Sequence, residues 1–297
     1  MIDLHIHSTA SDGQFTPTEV LNMAENIGLE AIALTDHDSV AGVKELHEAA
    51  QGKKIEVVNG AELSVTYPNA SMEIIAMNIP EQSLPAFELF QKEQAERRLQ
   101  VTLERLDKLQ QFGVDITFEE VATDKNGRPR KTICKPHFTD ILLAKGYISE
   151  PDEAYQVIFA EGGIGYVPNH DIPAADVIHF IKDNGAVPIM AHPILTRFSD
   201  ERLFEVLQEL AKEGLGGFEL FQSVQPREKR QVYLEFLKEL KFKTAGGSDF
   251  HGGTAHPENE LGTGLNHNLN IPYFVLAELQ SDKIPEDVYY RELEKFI

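Results

Sequence analysis

Short apolar runs that alternate with amphipathic helical stretches constrain this chain more than any other feature. Ile2-Asp3-Leu4-His5-Ile6-His7 alternates in character at period two and reads as a first strand. Thr16 is a plausible N-cap for a helix with Pro17 at its first position. Ala31 to Thr35 reads as a second strand, followed by a helix through about Ala50. Ile55 to Leu63 reads as a third strand and Glu73 to Ile79 as a fourth. The rhythm returns with strands near Val187–Ala191, Gly217–Phe221 and Lys243–Gly246, separated by helices over Ala174–Asn184, Asp200–Glu213 and Pro226–Leu240. Alternation of this kind predicts a parallel α/β fold.

Residues 84–165 break the rhythm. A long charged helix from Leu84 to about Phe112 is followed by short helical pieces around Asn126-Gly127-Arg128-Pro129. The expected organisation is therefore a barrel domain from residues 1–83 and 166–297, with 84–165 as a helical insertion capping one end. Ile271 to Leu276 is apolar enough to pack on the body.

In a parallel barrel the active residues collect where strands end and loops begin. His5 and His7 lie two apart on a strand, so both imidazoles project from one face and can reach one ion. Asp12 follows in the Ser11-Asp12-Gly13 loop. Thr35-Asp36-His37-Asp38 ends the second strand and Gly60-Ala61-Glu62 the third. Ala191-His192-Pro193, Glu219 and Gly247-Ser248-Asp249-Phe250-His251 end later ones. Taken singly, each has an ordinary alternative: Asp36 could cap a helix, and Glu62 could serve a salt bridge. Together they put mixed imidazole and carboxylate groups at one end of the sheet. That mixture suits Zn²⁺, Mn²⁺ or Fe better than Ca²⁺ or Mg²⁺, which favour oxygen alone.

The net charge of −21 argues against a protein that grips extended duplex nucleic acid through a basic surface. A small anion or the end of a short strand could still bind where metal ions reverse the local field. Cys134 is the sole cysteine, which excludes an intramolecular disulfide and a cysteine metal site, and it is expected to be a packed thiol. No run approaches the ~18 apolar residues of a membrane span, and Asp3, His5 and His7 interrupt any signal sequence. A cytoplasmic protein is expected, with no membrane partner. His47, His170, His179, His256 and His267 have no motif around them and are expected to be surface or structural.

His5-Ile6-His7, Thr35-Asp36-His37-Asp38, Ala191-His192-Pro193 and Gly247-Ser248-Asp249-Phe250-His251, in this order, resemble the PHP family, named for polymerase and histidinol phosphatase. The resemblance spans nearly the whole chain. It implies a distorted (β/α)7 barrel with up to three divalent metals, Mn, Zn or Fe, at its mouth. By position, the first metal would take His5, His7, Glu62 and Asp249, and the second Asp12, His37 and His251. The third would share Glu62 and add His192 and a residue of the next strand. Family members usually carry histidine there, whereas this chain has Glu73, whose carboxylate would favour a harder ion such as Mn²⁺.

The reaction implied is phosphate-ester hydrolysis, with a metal-bound hydroxide attacking phosphorus in line. Proton transfer could involve His192 or His251, while Asp36 and Asp38 would orient His37 or its neighbours. Three divalent ions would outweigh the carboxylates of Asp12, Glu62, Glu73 and Asp249, so the metals themselves would assemble the phosphate site. Lys135-Pro136-His137-Phe138 resembles the segment of the subgroup acting on nucleoside 3′,5′-bisphosphates and short RNA 5′ ends, with lysine replacing the usual arginine. Lys135, His137 and Arg197 are the candidates for a second phosphate, with Phe138 or another insertion aromatic available to stack on a base. The expected activity converts a nucleoside 3′,5′-bisphosphate to the 5′-monophosphate, with 5′→3′ exonuclease action on short RNA as a companion. The alternatives are histidinol-phosphate phosphatase and a non-catalytic PHP binding module.

Overall fold

The computed structural model describes the chain except residues 69, 124–126, 128–129, 131–132, 134, 169–171, 253–257 and 282, and only the backbone of Ser71. Cys134, His170, His256 and most of the Asn126–Pro129 segment thus lie outside the described residues. The chain divides into two compact units, Met1–Leu89 with Asp171–Ile297, and Phe90–His170.

The first unit opens with β1 (Ile2–Ile6), α1 (Pro17–Asn26), β2 (Ala31–Leu34), α2 (Val43–Ala50), β3 (Glu56–Tyr67) and β4 (Ala70–Met77). Helix α3 (Leu84–Gln111) leads into the second unit, which holds α4 (Phe118–Ala122), α5 (Lys135–Ala144) and α6 (Pro151–Glu153). The first unit resumes with β5 (Ile172–Pro173), α7 (Ala174–Asp183), β6 (Val187–Met190), α8 (Asp200–Glu213), β7 (Gly217–Gln222), α9 (Arg227–Leu240) and β8 (Lys243–Gly247). The small ribbon β9 (Asn259–Glu260) and β10 (Gly264–Leu265) follows, then α10 (Phe274–Ser281) and α11 (Glu286–Leu293).

The main sheet runs β1-β2-β3-β4-β6-β7-β8, with the short β5 beside β3. Just beyond β8 the chain turns onto β1, where Asp249 N donates to His5 O and His7 N to Phe250 O, both at 2.9 Å. These bonds bring the last strand against the first and nearly close the barrel.

The seven expected strands are present, but they are not all parallel. β4 is antiparallel to both β3 and β6. The cause is the connection between β3 and β4: only residues 68 and 69 separate them, far too few for the crossover that parallel strands need. β3 therefore continues to Tyr67, past the expected end at Leu63, and doubles back as a hairpin. This reversal places the first half of β4 at the same mouth where the parallel strands end.

Period-two alternation sorts the β1 side chains. Ile6 joins Ile32 and Leu34 of β2, Val20, Leu21 and Ala24 of α1, and Leu46 of α2 in one buried cluster. Asp3, His5 and His7 take the opposite face and are all buried inside the barrel. Burial of each such aliphatic side chain contributes about 1.5–3 kcal/mol, which fixes the register and so commits the histidines to the interior. Helix α1 starts as its sequence predicts: Thr16 Oγ1 accepts from Glu19 N at 3.2 Å, while Thr16 N donates to Glu19 Oε2 at 2.9 Å, with Pro17 following.

The second unit has its own core, in which Leu106, Leu109, Val121, Phe138, Leu142 and Phe159 pack together. Arg105 is buried there between the rings of Phe138 and Phe159, 5.5 Å from each centroid, and donates to Gly165 O at 3.2 Å. Phe138 is wholly buried in this core, so it is unavailable to stack on a base. Its apolar area serves the insertion's folding instead.

Candidate metal centre

Four side chains converge at the inner end of the barrel mouth. His5 comes from the inner face of β1 and His7 from the residue just past its end, Glu62 from β3, and Asp249 from the turn after β8. His5 Nε2 and His7 Nε2 stand 3.2 Å apart. Glu62 Oε2 lies 3.3 Å from each, and Asp249 Oδ1 lies 3.4 Å from the first and 3.2 Å from the second. Metal–nitrogen bonds of 2.0–2.1 Å in tetrahedral geometry require donor–donor edges of about 3.3 Å. The edges from His5 and His7 to each other, to Glu62 and to Asp249 have that size.

Two orphaned atoms test the fit further. Glu62 Oε2 and His7 Nδ1 are buried and have no hydrogen-bond partner. A desolvated carboxylate oxygen is costly without a donor or a cation, and this one has three imidazole nitrogens around it at 3.1–3.3 Å. A divalent ion among these nitrogen and oxygen donors would supply the cation that Glu62 Oε2 lacks.

A second group lies outward. Asp12 Oδ1 is 3.6 Å from His7 Nδ1 and 3.4 Å from His251 Nε2, while Asp12 Oδ2 is 3.8 Å from His37 Nε2. His251 Nδ1 donates to the Asp249 backbone carbonyl at 2.9 Å, which leaves its Nε2 lone pair facing Asp12. The Asp12 side chain is 57% exposed.

A third group surrounds the other side of Glu62. His192 Nε2 is 2.8 Å from Glu62 Oε1 and 3.2 Å from Glu73 Oε2. His37 Nδ1 is 3.1 Å from Glu62 Oε2 and 3.4 Å from Glu73 Oε1. Glu73 pairs with Ser64 across the hairpin, and Ser64 lies two residues beyond Glu62 on β3, so the antiparallel register turns both glutamates to one face. All nine candidate ligands thus fall within four overlapping groups of His, Asp and Glu side chains.

The electrostatics follow from burial. Burial disfavours the charged form of His5, but the Glu219, Glu62 and Asp249 carboxylates outweigh it and hold the imidazole well above its ordinary range. His7 is raised to about 9 and His192 to about 11, in each case because hydrogen bonds to carboxylates overcome burial. Burial would raise Glu62 and Asp249, yet the surrounding imidazoles push both well down. His251 goes the other way, lowered by burial and by the charge on His7.

A model of the PHP domain matches residues 3–183. The chain belongs to the PHP family. Similar proteins span nearly all of it. A 5′-3′ exoribonuclease of Haemophilus influenzae is 29% identical over 251 residues, 84% of this chain and 89% of that protein. The phosphoribosyl 1,2-cyclic phosphate 1,2-diphosphodiesterase of Eggerthella lenta is 29% identical over 84% of this chain and 94% of its own. The 3′,5′-nucleoside bisphosphate phosphatase of Chromobacterium violaceum is 26% identical over 91% and 92%. A solved structure of a candidate metal-dependent phosphoesterase from Bifidobacterium adolescentis superposes with a TM-score of 0.67, at 26% identity and 96% of each chain.

Around these candidate ligands stands a layer that the motifs only partly signal. Asp36 is buried, and its carboxylate accepts from Ser8 N at 2.7 Å, Ser8 Oγ at 2.8 Å and Ser11 Oγ at 2.6 Å. It therefore fastens the loop that carries Asp12. Asp38 accepts from Ser64 N at 3.0 Å and so ties the end of β2 to β3. Asp3, which no motif flagged, accepts from Ser248 N, Ser248 Oγ and Gly262 N at 2.9, 2.6 and 2.7 Å. It holds the Ser248-Asp249 turn against β1, and its place two residues before His5 on the inner face was the available signal. Glu219 is also fully buried, 2.9 Å from His5 Nδ1 and 2.7 Å from His192 N.

Backbone strain marks the same mouth. Asp38, His192 and Asp249 have φ of 45°, 23° and 57°, a region that non-glycine residues enter at some cost. The residues expected to read substrate are divided between the two units. Arg197 is exposed at the end of the turn after His192. Lys135 is exposed at the start of α5 in the second unit, and His137 is half-buried two residues on, its imidazole lowered by burial and by Arg130. No helix among the described residues is long and apolar enough to cross a membrane.

Proposed function

We propose that this PHP chain hydrolyses the 3′-phosphate of a nucleoside 3′,5′-bisphosphate, giving the nucleoside 5′-monophosphate and inorganic phosphate, and trims short 5′-phosphorylated RNA at the same site. It is a phosphoric ester hydrolase; the substrate class and the ligand roles are the proposed part. The observation that carries the reading is the set of 3.2–3.4 Å edges among His5, His7, Glu62 and Asp249 around the unpartnered Glu62 oxygen. The phosphatase of Chromobacterium violaceum and the exoribonuclease of Haemophilus influenzae support the nucleotide class.

In this reading His5, His7, Glu62 and Asp249 hold one divalent ion, and Asp12, His37 and His251 a second. Glu62, Glu73 and His192 hold a third, with Mn²⁺ suited to the extra carboxylate. Bound ions supply Lewis acidity toward the phosphoryl oxygens and lower the pKa of water. The chain's own residues hold that arrangement in place: Asp36 fixes the Asp12 loop and Asp3 fixes the Asp249 turn. His192 Nε2 faces Glu62 and Glu73, and His251 donates from Nδ1 to a carbonyl with Nε2 facing Asp12. In this reading they act as ligands rather than free proton carriers. Arg197, in the same unit as the metal centre, is proposed to read a second phosphate, on the strength of its charge and hydrogen-bonding chemistry alone.

The test offers the Mn²⁺-loaded protein adenosine 3′,5′-bisphosphate, a short 5′-phosphorylated RNA, 5-phosphoribosyl 1,2-cyclic phosphate and histidinol phosphate side by side. The bisphosphate should give the highest kcat/KM. Preference for the cyclic ester or for histidinol phosphate overturns the substrate class while leaving the hydrolase intact.

A further inference from the structure

Glu219 is a wholly buried carboxylate with two partners on different parts of the barrel. It projects inward from β7, one strand removed from β1 across the closing turn. One oxygen faces His5 Nδ1 at 2.9 Å, and the other accepts from the backbone N–H of His192 at 2.7 Å. Both of its oxygens are therefore spent on residues that carry ligand atoms. It is not itself within the groups that converge on a common ion position.

Two consequences follow from hydrogen-bond chemistry. A carboxylate oxygen only accepts, so opposite it His5 Nδ1 must carry the proton. The lone pair then belongs to Nε2, the nitrogen that meets His7 Nε2, Glu62 Oε2 and Asp249 Oδ1. The second bond acts on backbone. His192 sits at φ 23°, ψ 64°, outside the favoured regions, and its amide is pinned by Glu219 while its ring reaches Glu62 and Glu73. Neither Asp3 nor Asp36 touches two ligands this way.

We propose that Glu219 is a positioning residue that couples two parts of the metal centre, fixing the metal-binding tautomer of His5 and the strained backbone of His192 through one carboxylate. This rests on the reading of His5 and His192 as metal ligands. The role extends to the choice of nitrogen: with Glu219 in place, His5 can bind only through Nε2.

Glu219→Gln separates the two functions with almost no change in volume. An amide has one accepting oxygen and one donating nitrogen. The His192 backbone can only donate, so it claims the oxygen, and the NH₂ turns to His5 Nδ1. His5 must then protonate Nε2, and its lone pair leaves the metal side. Mn²⁺ alone is titrated calorimetrically into chelator-treated wild type and E219Q, with thermal unfolding recorded for both. The wild type should bind Mn²⁺, and E219Q should stay folded but lose about ten- to a hundredfold in its tightest Mn²⁺ affinity. Equal affinities overturn the inference. If E219Q does not fold, the histidine-ring ¹⁵N–¹H spectrum of the zinc-loaded wild type decides: an Nδ1–H, Nε2-bound His5 upholds the inference, and the opposite tautomer overturns it. Absence of Mn²⁺ and Zn²⁺ binding by the wild type would instead remove the metal reading itself.

Discussion

His5, His7 and Glu62 meet at the ends of strands where water is excluded, whereas Asp12 and His37 reach the centre from a loop and a strand end and are more open. Asp249 and His251, 22% and 23% exposed, lie between. Both groups use imidazole and carboxylate. The side chains of His5, His7 and Glu62 are 0% exposed, against 31% for His37 and 57% for Asp12. β1 register, the β3 ladder and the Asp3-held turn set the spacing of the inner group. The outer group depends on one loop, anchored through Asp36 to Ser8 and Ser11. Burying the inner carboxylates and imidazoles costs several kcal/mol per ion unless they neutralise one another or bind a cation. The inner site should therefore hold metal tightly and exchange it slowly, and the outer site should exchange it readily.

The largest expected effect breaks this contrast directly. Asp249→Asn removes a charged donor from the inner group and should lower Mn²⁺ affinity and turnover by at least about a hundredfold, the upper range for loss of a mere supporting partner. Asp12→Asn should weaken only the more loosely held ion, by about tenfold, leaving one tight equivalent in a calorimetric titration. Equal losses from both substitutions would erase the distinction between the groups.

A smaller effect concerns pH. His7 is raised to about 9 and His5 lies well above its usual range, so both carry protons in the cation-stripped protein near neutrality. Metal must displace those protons, and each costs about tenfold in apparent affinity per pH unit below the imidazole's pKa. Inner-site affinity should therefore fall steeply from pH 8 to pH 6. Outer-site affinity should fall less, because His251 is shifted below the ordinary histidine value and binds its proton only at lower pH. Titrations at three pH values check this, and parallel slopes for the two sites would contradict it.

Much of this centre was legible in the residue order. β1 reads correctly because apolar Ile2, Leu4 and Ile6 must face the helices, which leaves His5 and His7 inside. The same periodicity contained Asp3, but a buried aspartate has no motif, and its partners Ser248 and Gly262 lie some 250 residues away in the chain. The reversal of β4 was not read, because strand–helix alternation elsewhere favours a parallel sheet. Its local signal was Tyr67-Pro68-Asn69, a turn-forming run too short for a crossover. Glu219 was visible only as a strand-end glutamate, since nothing in sequence says that His5 and His192 flank it. Phe138 shows the converse: its position in a substrate-like motif suggested a stacking surface, whereas the insertion's need for a core buries it.

The most direct test of the central claim, that these ligands bind the metal on which catalysis depends, is hydrolysis of adenosine 3′,5′-bisphosphate before and after chelation. Turnover should disappear on removal of metal, return in proportion as Mn²⁺ refills the inner and then the outer site, and fail to return in Asp249→Asn at the same Mn²⁺ concentration. A fully chelated protein that releases phosphate as fast as the Mn²⁺-loaded one would contradict the claim.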